Sequence, residues 1–273
     1  MEAINQLIKN QMTSLELSSD TCDQHGSKTV YMVQFEGEAV CPICERERNN
    51  AILSQQETDK IRQAHASKAY QGFAKLSILT DVNLYDASFS SYEVTEPEET
   101  ANKERAIAAF KRYRDGEIFN TWFTGLPAVG KSHLAMSILR NLNEYGEKDK
   151  LCLFVSVDEM LRKIRGSFDN RESMYTESYF VDLLSSADFL VLDDLGAETG
   201  GTGTHKTATD FTLRVLYAIA NARQSKATIV TSNLSKPELV KMYDAKLVSR
   251  LMKDTYLIRF AETSDKRIKN IEF

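Results

Sequence analysis

Thr121-Trp-Phe-Thr-Gly125-Leu-Pro-Ala-Val-Gly130-Lys131-Ser132-His-Leu-Ala-Met-Ser-Ile-Leu139 is the stretch whose reading decides the fold. A short apolar run enters Gly125 and an apolar pattern of helical period leaves Ser132, so the spacing predicts strand, turn and helix in that order. The turn itself, Gly125–Ser132, fits G-x-x-x-x-G-K-S/T. Backbone N–H groups of such a loop close around phosphate oxygens, and the helix that follows adds its positive end. Gly125, Leu126, Pro127, Ala128, Val129, Gly130, Lys131, Ser132 and His133 are therefore the expected nucleotide cradle. In it Lys131 reaches the β- and γ-phosphates and the Ser132 hydroxyl ligates Mg²⁺.

Downstream, Phe189-Leu-Val-Leu-Asp193-Asp194 reads as a buried strand ending in two acids. Asp193 is expected to hold Mg²⁺ through water and Asp194 to polarise the attacking water. A third apolar strand, Ala227–Thr231, runs into Ser232 and Asn233, and Asn233 is a candidate for positioning that water. Arg250 follows on a helix and is a candidate arginine finger for the γ-phosphate of a neighbouring subunit. Arg267, with Lys266 beside it, lies past the last strand and is a candidate for the same phosphate in its own subunit.

Further strands are expected at Leu151–Val157 and Tyr256–Ala261, and helices at about 101–114, 131–144, 158–165, 176–186, 207–223 and 244–253. Strands that alternate with helices argue an α/β sandwich on a parallel sheet. The polar stretch from Glu45 to about Tyr70 reads as an exposed connector helix, and 77–99 as irregular and acidic. A domain boundary is expected near residue 75, giving 1–75 and 76–273.

The motif order resembles the AAA+ class, and more narrowly the DnaC/DnaI-type helicase loaders of bacteria and phages. The likeness is carried by Gly125–Ser132, Phe189–Glu198, Ile229–Ser235, Leu247–Met252 and Ser264–Lys269. It implies a five-stranded parallel sheet without a helical lid, since only about a dozen residues follow the last strand. It also implies ATP hydrolysis, with ATP or ADP and Mg²⁺ as ligands and self-association through Arg250. The same module is similar to IstB-type transposition ATPases. Many AAA+ proteins carry Glu where this chain has Asp194, which keeps open a third reading, a zinc adaptor that uses ATP binding as an assembly switch.

Three of the four cysteines fall within Cys22–Cys44. Cys22-x-x-His25 and Cys41-x-x-Cys44 are two ligand pairs on tight turns, a set that suits tetrahedral Zn²⁺. Four ligands leave no open position, so the zinc is expected to be structural. A unit this small has too little core to fold without metal. Ahead of it, Ile4, Leu7, Ile8, Met12 and Leu15 sit at helical spacing.

Charged residues make up 27% of the chain and the formal net charge is −5, which argues against nucleic-acid binding by bulk electrostatics. The cysteine-bearing segment is itself acidic and apolar-rich, with Tyr31, Met32, Val33 and Phe35, which suits a protein partner. The resemblance implies that the N-terminal region engages a DnaB-type replicative helicase. Neither a secretory h-region nor a membrane-length apolar run is present, so a cytoplasmic location off the membrane is expected. Phe89 and Tyr92 are candidates to flank the base, or core residues. The stretch Leu161-Arg-Lys163-Ile-Arg165-Gly-Ser-Phe168 is a basic patch ending in an aromatic. Lys163 and Arg165 are expected to track single-stranded DNA phosphates. Phe168 either stacks on a base or anchors a helix pair. The expected activity is ATP-dependent delivery of a replicative helicase onto single-stranded DNA during initiation.

Overall fold

The computed structural model describes residues 17–26, 28–35, 37–199 and 207–266. It divides into two compact units, Met1–Ala64 and His65–Phe273. The division comes earlier than residue 75 because the last turns of the connector helix bury Ala69, Gly72 and Phe73. Phe73 joins the second unit's core.

In the first unit β1 (Leu17–Cys22), β2 (Val30–Phe35) and β3 (Glu38–Val40) form an antiparallel sheet in that order. Helix α1 (Pro42–Leu76) starts on a proline, whose fixed φ and missing N–H suit a first helical position. The expected N-terminal helix lies outside the described residues up to position 16, and Leu17 is already in β1.

In the second unit the chain runs α2 (Pro97–Arg114), β4 (Asn120–Gly125), α3 (Lys131–Tyr145), β5 (Cys152–Ser156), α4 (Val157–Gly166) and α5 (Glu177–Ser186). It continues through β6 (Phe189–Asp193), α6 (Asp210–Ala222), β7 (Ala227–Ser232), α7 (Lys236–Met242), α8 (Ala245–Leu251) and β8 (Thr255–Phe260). The strands form one parallel sheet in the order β5-β6-β7-β4-β8. Strands β5 and β7 are buried along their whole length, as expected where helices cover both faces.

One core joins α4, α5 and α6 to the sheet, with Met160, Ile164, Phe180, Leu184, Val215 and Ile219 fully or almost fully buried. On the opposite face Ala106 and Ala109 of α2 and Leu134, Ile138 and Leu139 of α3 close the second core. Cys152 is a core residue, as its place in an apolar run indicates.

Residues 236–242, where no helix is expected from the sequence, form α7. Ser235 and Glu238 make a reciprocal capping box there, and Pro237 falls in the first turn, where it is tolerated. The irregular stretch 77–99 contains a 3-10 turn over Val82–Asp86 and lays Ile78 against β5. Among the described residues no helix follows β8, and no helix is long and apolar enough to cross a membrane.

Candidate nucleotide site and metal centre

The phosphate loop leaves β4 and wraps the first turn of α3. Gly130 caps that helix at φ 98, and a Cβ there would lie 2.6 Å from Cε2 of Tyr92, so the position requires glycine. Gly125, at φ 147, is equally constrained: a Cβ would meet the Phe260 carbonyl oxygen at 2.5 Å. Lys131 is almost fully buried. Its Nζ donates to the carbonyl oxygens of Gly125 (2.9 Å) and Leu126 (2.6 Å) and to Oδ1 of Asn233 (2.7 Å). The amine is thus held over the mouth of its own loop.

Strand β7 lies between the phosphate-loop strand and the acid strand. Two parallel strand spacings, about 9.6 Å, therefore separate β4 from β6, and the end of β7 fills the gap. Its Thr231 hydroxyl donates to Asp193 Oδ1 at 2.7 Å and accepts the Asp194 N–H at 2.9 Å. The Leu195 N–H donates to the Thr231 carbonyl (2.9 Å), and the Ser232 hydroxyl donates to the Leu195 carbonyl (2.7 Å). These bonds hold Asp194 in the left-handed region at φ 54. Burial pushes the Asp193 carboxyl up to about 6, aided by the Asp194 charge, while bonds from Thr231 and Ser132 work the other way. Ser132 and Asp193 are thus brought together as the expected Mg²⁺ pair. A buried carboxylate beside a hydroxyl and an ammonium is a donor set that fits a divalent cation on a phosphate.

Thr231 is not among the residues that the sequence singles out, although the polar ending of its strand is an available signal. Asn233 is, and it reaches the phosphate-loop lysine. A cleft lined by Gly125, Leu126, Asn233, Lys236 and Arg259 opens beside these groups.

Tyr92 is buried against Gly130 and its hydroxyl donates to the Val129 carbonyl at 3.4 Å, so it packs under the loop. Phe89 is partly buried, with its ring 6.4 Å from that of Phe110. The His133 ring bonds the Ser88 carbonyl oxygen at 2.9 Å through Nε2. It ties segment 88–91 to α3, and burial holds its pKa below the ordinary value.

Arg250 lies on α8, its guanidinium 5.3 Å from the centre of the Tyr217 ring. The Tyr217 hydroxyl in turn donates to Asp244, the N-cap of α8. The Trp122 indole and the Asn120 amide of β4 both donate to the Leu251 carbonyl, at 2.9 and 3.2 Å, fixing this helix to the phosphate-loop strand. Arg250 borders a groove with Lys246 and Lys253, and none of the three lines the cleft beside Asn233. Arg267 lies outside the described residues, as does His205; His65 is exposed. The Lys266 ammonium pairs with Glu99 at 3.1 Å.

Two helices, α4 and α5, occupy the crossover from β5 to β6, as its length suggests. Phe168 is 61% exposed, with its ring edge-on to that of Phe211 at 5.5 Å. Lys163 lies 4.8 Å from the Tyr175 ring centre and Arg165 5.6 Å from that of Phe211. With exposed Met174 and Tyr175, these residues make an aromatic surface that carries Arg165 and a Lys163 paired with Glu159 at 3.7 Å.

In the first unit Cys22 ends β1, His25 lies in the turn after it, and Cys41 and Cys44 flank the start of α1. Gly26 takes φ 57 in open space, closing that turn. One ligand atom from each of the four residues falls within 4.8 Å of all the others. Zn–S bonds of about 2.3 Å place two sulfurs of a tetrahedron about 3.8 Å apart. The Sγ atoms of Cys22 and Cys44 are 3.7 Å apart, and His25 Nε2 is 3.2 and 3.3 Å from Cys41 and Cys44. The donor set fits a closed tetrahedral zinc site. Around the cluster Tyr31 is exposed, and Met32 and Val33 are partly so.

No family model matches the chain. It is 26% identical over 171 residues to "Replicative helicase loader DnaC" of Escherichia coli strain K12, a match covering 61% of this chain and 63% of that protein. The chain thus spans less than two thirds of the relative's length. A crystal structure of the DnaC helicase loader superposes with a TM-score of 0.53 at 20% identity, over 66% of this chain and all of that one. A crystal structure of DnaI gives 0.54 at 20% identity, over 68% of this chain and 96% of that one. The chain shares the α/β fold of these two structures and resembles DnaC in sequence.

Proposed function

We propose that the chain is an ATP-dependent loader that delivers a ring-shaped replicative helicase onto single-stranded DNA during initiation of replication. The observation that carries this reading is the sequence match to the replicative helicase loader DnaC. The geometry of the phosphate loop supports the ATPase part. Lys131 neutralises the β- and γ-phosphates, and N–H groups of the loop orient them. Bound Mg²⁺ supplies further charge neutralisation, with Ser132 and Asp193 as the residues that hold it. Asp194 takes up a proton from the attacking water, and Asn233, already beside Lys131, orients that water. Arg250 completes the site of an adjacent copy from its anchored helix, and Arg267 serves in its own subunit.

Residues 1–75 dock the helicase through the zinc-stapled sheet and the segment before it. Zinc there is structural: it holds Cys22, His25, Cys41 and Cys44 together and takes no part in hydrolysis. Lys163, Arg165 and Phe168 contact the DNA strand, and the exposure of Phe168 favours stacking over anchoring.

The full chain should retain a purified replicative helicase in a pull-down and hydrolyse ATP. Lys131→Ala should keep its fold and its helicase while losing turnover. Failure to retain the helicase removes the loader reading, and undiminished hydrolysis by Lys131→Ala removes the ATPase site.

A further inference from the structure

Behind the phosphate loop three distant segments meet in one polar knot. Glu98, in the first turn of α2, accepts the N–H groups of Ala261 (2.7 Å), Glu262 (3.0 Å) and Thr263 (2.7 Å), and the Thr263 hydroxyl (2.6 Å). The Ser264 hydroxyl donates to Glu96 at 2.9 Å. These bonds carry the chain after β8 across to the loop, where the Lys266 N–H donates to the Ala128 carbonyl at 3.1 Å. The Lys266 ammonium lies 4.0 Å from the centre of the Tyr92 ring, pairs with Glu99 and donates to the Glu93 carbonyl. Glu99 is fully buried, and its second oxygen accepts the Thr95 and Glu96 N–H groups at 2.5 and 3.1 Å. Tyr92, gripped by that ammonium, supports Gly130 and bonds Val129.

The consequence lies in peptide geometry. In a planar trans peptide the N–H points opposite to the C=O. A carbonyl of Ala128 or Val129 held from the Lys266–Tyr92 side therefore turns the N–H of the following residue, Val129 or Gly130, to the other side of the loop. Those are N–H groups that a phosphate-binding loop must aim at its ligand. Ala128 needs such support, because it takes a left-handed φ of 60 without being glycine.

We infer that Lys266 is a positioning residue for the nucleotide: through Tyr92, Glu99 and the Ala128 carbonyl it presets the phosphate loop, without touching phosphate itself. This role rests on the ATPase reading above. It assigns Lys266 to the back of the loop, and it makes the segment after β8 part of the binding machinery. By the same linkage, bound nucleotide tightens that segment.

The test is calorimetric titration of Mg-ATP into the full-length chain, with steady-state hydrolysis alongside. Lys266→Met should weaken ATP binding about tenfold or more and raise KM in step, with kcat at saturation within about threefold of wild type. Lys266→Arg should recover most of the affinity. Since Lys266→Met removes the counter-charge beside the buried Glu99 carboxylate, the double variant Lys266→Met/Glu99→Gln is measured too, and it should melt close to wild type yet still bind ATP weakly. A double variant that melts like wild type and binds ATP within twofold of it overturns the inference. So does loss of kcat at unchanged affinity, which would put the ammonium on the reacting phosphate. If the wild-type chain itself does not bind ATP, the ATPase reading falls first and this inference with it.

Discussion

Replacing Thr231 by Val removes one hydroxyl that does two things. It donates to the Asp193 carboxylate at 2.7 Å and accepts the Asp194 N–H at 2.9 Å, from a side chain with no exposure to water. Valine fills almost the same volume, so packing is retained and the loss is confined to hydrogen bonding. A bond to a charged group contributes about 1.5–3 kcal/mol, and a buried N–H left without a partner costs about 1–3 kcal/mol. Relaxation of the Asp194 turn recovers part of this, leaving a net loss of about 2–4 kcal/mol. For a domain of 150–250 residues each kcal/mol lowers the melting midpoint by roughly 2–4 °C, so scanning calorimetry should find a drop of roughly 4–16 °C. Thr231→Ser keeps the hydroxyl and should lose far less. A second signature lies in the pH profile. Burial already raises the Asp193 carboxyl to about 6, against the Thr231 bond. Without that bond the carboxyl titrates higher still, and because the free protein must give up the Asp193 proton to take Mg-ATP, the acid limb of Mg-ATP binding should move to higher pH in Thr231→Val. A variant melting within about 1 °C of wild type, with an unmoved acid limb, refutes the role given to this hydroxyl.

Phe168→Ala should weaken single-stranded DNA binding about tenfold, in line with about 1–3 kcal/mol for a stacked base, at an unchanged melting temperature; a melting loss with intact affinity would return the ring to the core. Cys41→Ser, or chelation of the wild type, should remove about one equivalent of zinc by metal analysis and abolish the circular-dichroism contribution of the antiparallel sheet, while the melting transition of the second unit stays in place. Burial works to raise the Glu99 carboxyl, but the Thr95 N–H, Lys266 and the Glu96 N–H outweigh it and hold the group at about 2 against an ordinary value of 4.5. The stability it contributes is complete above about pH 4.5 and is lost as pH falls towards 2, so the melting midpoint of wild type should fall more steeply across that window than that of Glu99→Gln. Parallel slopes would show that Glu99 has no such role.

Features written in contiguous residues are legible from the sequence alone. The phosphate loop needs its glycines and lysine at fixed spacing, and the two Cys/His pairs announce a four-residue ligand cluster in the same way. Strand and helix placement follows from apolar period, because a sheet buried on both faces leaves unbroken runs such as Cys152–Ser156. Helix α7 escapes such a reading because it is only seven residues long, too short for an apolar period, and its start is set by the capping box of Ser235 and Glu238. The role of Thr231 is not written locally, since its partners stand 37 and 38 positions away and are set by strand order. Lys266 reads in sequence only as a rival to Arg267 for phosphate. Its pairing with Glu99 links residues far apart in sequence, and no local pattern announces it.

The residues just past α1 are pinned to the sheet by a short splice. Ile78 donates to the Phe154 carbonyl at 2.7 Å and accepts the Ser156 N–H at 2.8 Å, while the Phe154 N–H donates to the Ser77 hydroxyl at 3.0 Å. Ser156 immediately precedes α4, the helix that carries Lys163 and Arg165. Tension that passes the buried end of α1 is therefore delivered to the outer edge of β5, and one peptide later to the base of the basic helix. Three hydrogen bonds share that load with the burial of Phe73 in the core. A pull too weak to break them moves the strand edge and the basic helix together, whereas a stronger one unzips the splice and leaves the remaining four strands of the sheet untouched.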